Sequence, residues 1–67
     1  MAAVEPSALE FLTAQRVCTP AQLQAVMLAE KGYSVRGIAR RLNVSPTAVR
    51  DRLEGARRRV NRELAQP

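Results

Sequence analysis

Ten arginines and one lysine stand against six carboxylates in this chain. A guanidinium donates paired hydrogen bonds to phosphate oxygens or to the O6 and N7 atoms of guanine, so the chemistry on offer is recognition of an oxygen-rich polyanion. Residues 31–62 hold ten of the eleven cations against Asp51 and Glu54, a local balance of +8, whereas residues 1–30 carry Glu5, Glu10 and Glu30 against Arg16, a balance of −2. A polyanion therefore meets the C-terminal half. Other chemistry is poorly supplied. With no His, a single Cys (Cys18) and no Gly-rich phosphate loop, the chain lacks a metal ligand set, an internal disulfide and a nucleophile–base pair. No catalytic residue, metal or cofactor is expected, and an enzyme is the poorest reading. Phe11 and Tyr33 are the only aromatics, too few for the stacking on which single-stranded RNA recognition depends.

The basic residues are useful only if rigid elements aim them. Val35, Ile38, Ala39, Leu42, Val44, Val49 and Leu53 follow helical spacing that breaks once, at Asn43. Asn43 tolerates the left-handed conformation that ends a helix, Ser45 can cap the next one, and Pro46 suits its first turn. Two helices joined by a tight turn follow, with Ala39 small at their close approach and Val44 plugging the turn. Upstream, Ser7 and Glu10 read as a capping box, and Thr19-Pro-Ala-Gln22 repeats the device. Gly32 supplies a left-handed end, Tyr33 can pack back on the helix just closed, and Ser34 caps the next. The expected architecture is a small all-α domain of four helices, at about 8–15, 20–31, 35–42 and 46–64, forming one domain over 1–67. A chain this short buries only about 60% of its unfolded surface, so its core is thin. No run approaches the roughly 18 apolar residues of a membrane span and no signal peptide is evident, which makes the cytoplasm the expected address.

With Val49 and Leu53 turned inward, the fourth helix presents Thr47, Arg50, Asp51 and Glu54 outward near its start, and Ser45 stands where a helix N-terminus can meet phosphate. Arg50 is the leading candidate for a base contact, as a bidentate donor to guanine. Thr47 can touch a thymine methyl or a phosphate. Asp51 and Glu54 either accept from cytosine N4 or pair with a neighbouring arginine. Arg36 and Arg40 on the third helix are candidates for gripping phosphate. Arg57 and Arg58 belong to a cluster with Arg59 and Arg62 that spreads round the helix, so only one or two of these can touch DNA. Val49, Leu53, Ala56, Val60 and Leu64 form one apolar stripe, interrupted in propensity by Gly55. The stripe either packs on the first two helices or, through Val60 and Leu64, forms a partner or dimer interface.

Thr19-Pro-Ala-Gln22, Gly32, Ser34, Ile38-Ala39, Leu42, Val44-Ser45, Ala48-Val49, Arg52-Leu53, Ala56-Arg57-Arg58 and Val60 resemble region four of bacterial sigma factors, over residues 19–64. The resemblance implies a bacterial or phage helix-turn-helix that reads double-stranded promoter DNA in the major groove with Thr47, Arg50, Asp51 and Glu54. It also implies contact with RNA polymerase. No segment like the promoter-melting region of those factors is seen ahead of it, so the resemblance implies an isolated reader. Apart from the resemblance, the small area that one module buries on DNA makes a homodimer attractive, and a regulatory protein or polymerase is the other possible partner.

Overall fold

The computed structural model describes residues 6–66, with side chains from Ala8 onward. Four helices follow one another: α1 (Pro6–Val17), α2 (Pro20–Glu30), α3 (Val35–Leu42) and α4 (Pro46–Ala65). The last three agree with the sequence spacing to within a residue at each end. The first is longer than expected at both ends, and it already contains Ser7. Ser7 is thus a helical residue and not the flanking cap, and its side chain lies outside the described ones.

Local signals explain the starts of α2, α3 and α4 and the ends of α2 and α3. Thr19 Oγ1 accepts from the Gln22 amide at 3.2 Å while Gln22 Oε1 accepts from the Thr19 amide at 3.1 Å, closing the expected capping box. Ser34 and Ser45 accept from the amides of Gly37 and Ala48, both at 3.1 Å. The C-terminal ends of α2 and α3 close in the same way. Gly32 has φ +98°, with its own amide bonded to the Ala29 carbonyl and that of Tyr33 to Leu28. Asn43 has φ 57° and ψ 47°, and the Val44 amide reaches back to the Ala39 carbonyl at 3.0 Å. This back-bonding, with an apolar residue just past the left-handed one, fixes the angle at which the chain leaves α3. Tyr33 returns to α2 through its backbone, and its ring lies beside Gly37 of α3, 4.9 Å beneath the Arg41 guanidinium.

The core is small and lies between α2, α3 and α4. Ala25, Ile38, Ala39 and Val49 are buried there, with Leu28, Val35, Leu42, Val44 and Leu53 packed around them. Alanines at 25 and 39 let the helix axes approach, and only Ile38 and Val49 contribute large, fully buried side chains. α1 closes the other side of α4, where Ala14, Ala56 and Val60 are buried. Thr13 is buried too, its hydroxyl donating to the Leu9 carbonyl at 2.8 Å. α4 packs against each of the other helices, while α1 and α3 do not meet.

Gly55 has a packing reason. A Cβ there would stand 2.7 Å from Gln22 Nε2, on the side chain that completes the capping box. In Gly55→Ala the helix-propensity gain of up to about 1 kcal/mol is expected to be offset by loss of the Gln22 bond, worth about 0.5–1.5 kcal/mol. The gain should emerge in full only when Gln22 is already alanine. Urea titrations of the two single variants and the double variant test this; purely additive effects would show that the two residues are not coupled.

Candidate nucleic-acid interface

The turn Asn43–Val44–Ser45 delivers α4 with its first two turns open to solvent. Thr47, Arg50, Asp51 and Glu54 are all exposed, while Val49 between them is fully buried. This is the division expected from about 100° of rotation per residue. Arg50 makes no ion pair or side-chain hydrogen bond among the described residues, leaving its whole donor fork free, and Asp51 is likewise without an ion pair. Glu54 is engaged: Arg58 reaches it at 3.5 Å, one turn along. That is the surface-pair alternative, and both partners are highly exposed, so the pair is worth little in stability.

Ser45 caps α4 and keeps one donor free. Its Oγ is occupied as acceptor for the Ala48 amide, and its own O–H proton remains available to donate to a phosphate beside the helix N-terminus. On α3, Arg36 and Arg40 are exposed and lie four residues apart, hence on one face. Arg41 is directed to Tyr33 instead. α4 thus carries an exposed polar ridge and α3 an exposed basic face, one on each side of the turn.

The C-terminal half of α4 is used differently. Val60 is only 6% exposed and lines a cleft with Phe11 and Ala14 of α1, so it is withdrawn from the expected partner surface. Helix α1 crosses α4 there and covers the stripe. Leu64, one turn further on, remains 42% exposed. Arg57 is exposed at the rim of the same cleft, near Glu10 and Glu30. Arg59 donates to the Val17 carbonyl at 3.2 Å and so ties down the end of α1. No spacing in the chain announces that bond, because its partners are 42 residues apart.

Cys18, in the α1–α2 connection, places its Sγ 3.8 Å from the Ala56 carbonyl. Burial pushes the thiol above its ordinary range, and the Arg59 charge partly opposes this. The folded state therefore favours the neutral thiol, a contribution present in neutral solution and lost as pH rises through the elevated folded value. Alkylation of Cys18 by iodoacetamide at pH 8 is expected to be slower in the folded protein than in urea; equal rates would contradict the burial.

Among the described residues no group of His, Cys, Asp and Glu could hold a metal ion, and no helix is long and apolar enough to cross a membrane. No curated protein and no solved structure matches the chain significantly. A family model described as the homeodomain-like domain does match, over residues 20–63, which is α2, α3 and nearly all of α4. The matched span begins just after the Thr19 cap and takes in both left-handed helix ends and the exposed ridge from Thr47 to Glu54. The chain belongs to the homeodomain-like helix-turn-helix family.

Proposed function

We propose that the protein is a sequence-specific, double-stranded-DNA-binding regulator of transcription, acting by binding alone and without a cofactor. α4 enters the major groove. Arg50 donates to guanine O6 and N7, Thr47 meets a thymine methyl or phosphate, Asp51 accepts from cytosine N4, and Arg36, Arg40 and Ser45 hold flanking phosphates. The observation that carries this reading is the free, exposed Arg50 guanidinium on the first turns of α4, beside the turn from α3. A bacterial or phage-infected cytoplasm is the compartment in which such a reader would meet its target.

Selection from a random duplex pool tests it. A short preferred site is expected to emerge, and binding to it should weaken with salt at a log–log slope near −4.5 for about five neutralised phosphates. A bound pool that stays random after several rounds would overturn the sequence-specific reading.

The narrower likeness to sigma region four adds a protein partner, and one observation favours it: Leu9, Leu12 and Leu64 are 47%, 55% and 42% exposed. These leucines suit docking to polymerase or to a second copy. A palindromic selected site would favour the homodimer, with half-sites about one helical turn apart.

A further inference from the structure

A second basic surface lies away from the reading ridge. Gln22, Gly55, Arg58, Arg59, Arg62 and Glu63 line an open cleft of about 410 Å³ between the α1–α2 junction and α4. Its one carboxylate, Glu63, is already held by Arg16 at 3.2 Å. Arg59 uses one N–H on the Val17 carbonyl, and Arg58 leans toward Glu54. Arg62 makes no ion pair or side-chain hydrogen bond among the described residues. Three guanidiniums thus converge with most of their donors unspent. Gly55 raises no side chain from the floor, so the Gln22 amide sits 2.7 Å from where a Cβ would be. Gln22 belongs to the first turn of α2, whose N-terminus adds partial positive charge.

The lining selects the occupant. It offers many donors and a single apolar side chain, Val17, which suits a phosphodiester better than a peptide that needs several side-chain anchors. Position then selects the source. At about 100° per residue, Gly55, Arg59 and Arg62 lie about 140°, 180° and 120° round α4 from Arg50, while Arg58, about 80° away and bonded to Glu54, forms the edge of the cleft nearest the ridge. A duplex bedded on Thr47 and Arg50 turns its backbone away from the cleft floor. We propose that the cleft holds the backbone of a second DNA segment, so that one copy of the protein joins two duplexes. This rests on the assignment of α4 as the DNA reader. The second contact carries no sequence information, since it engages phosphate alone.

A capture assay with the full chain tests it. A duplex bearing the selected site is immobilised, saturated with protein and offered a labelled duplex of unrelated sequence. Wild type is expected to retain the labelled duplex. Arg59→Gln/Arg62→Gln should retain it about tenfold less well or worse, with affinity for the first duplex changed less than about threefold. Arg62→Glu alone should show the same loss while leaving the Arg59–Val17 bond intact, which separates charge from folding. Unchanged capture in both variants overturns the proposal. An equal loss of first-duplex affinity also overturns it, because the cleft would then serve the duplex in the reader. Blocking of capture by poly-glutamate where an equal charge of unlabelled duplex fails would overturn it in favour of an acidic protein. Failure of the reader assignment appears separately, as a random selected pool with capture measured on that pool.

Discussion

Arg50→Ala is expected to abolish most of the protein's preference for its selected site while leaving its grip on arbitrary DNA nearly intact. The side chain is exposed and unpaired on α4, so its removal creates no cavity and frees no buried charge. Its loss should therefore appear in recognition and not in folding. A bidentate arginine–guanine contact is worth about 1–3 kcal/mol of discrimination, which is about 5- to 150-fold between the right base and a wrong one. Arg36→Ala and Arg40→Ala serve as contrasts. On the proposed phosphate contacts, each is expected to weaken all sequences alike and to lower the salt slope by about 0.9. Fluorescence anisotropy on the selected site and on a variant of it, at three salt concentrations, separates the two patterns. If Arg50→Ala lowers affinity for both duplexes equally, its guanidinium is on phosphate and α4 reads with other residues.

Ile38→Ala is expected to remove the greater part of the domain's stability. Ile38 is 1% exposed in a core with one other large, fully buried side chain, Val49. Truncations of this type cost about 2–5 kcal/mol, because the lost transfer energy adds to that of a cavity the surroundings cannot fill. A domain of this length has about 3–10 kcal/mol in total. The two quantities are of the same size, so the variant should unfold at much lower urea or lose its cooperative transition. Leu12→Ala is the control. At 55% exposure its truncation should change stability by less than about 0.5 kcal/mol. Similar small losses in both variants would show that the packing among Ala25, Ile38, Ala39 and Val49 is not what holds the helices together.

The turn between α3 and α4 was legible because its causes are local. Asn43, Ser45 and Pro46 each restrict their own backbone or bond to an amide three residues away, and adjacent residues report this directly. The pairing of Glu54 with Arg58 is equally local, one helical turn apart. Helix α1 was harder: Leu9, Phe11 and Leu12 make no long stripe, so periodicity could not place its ends. The stripe from Val49 to Leu64 showed that α4 has an apolar face, but not what covers it. Burial of Val60 depends on where α1 returns, and that follows from the α1–α2 connection and from the tie between Arg59 and Val17. The cleft at Gln22 and Gly55 has no local signal for the same reason. It is assembled from three segments whose neighbourhood exists only once the chain has folded.

The packing of α4 against all three other helices makes target occupancy and persistence one quantity. A helix that reads DNA at the edge of an independent scaffold could melt without consequence for the rest; here its loss would uncover the core. Any duplex that binds only the folded form is then a ligand for folding, adding about 2.7 kcal/mol at a hundred times its dissociation constant. Against the small reserve of so short a chain, that is a large increment. Copies seated on their site would outlast proteolysis and free copies would be cleared, so the number of sites in the cell would set the standing level of the protein.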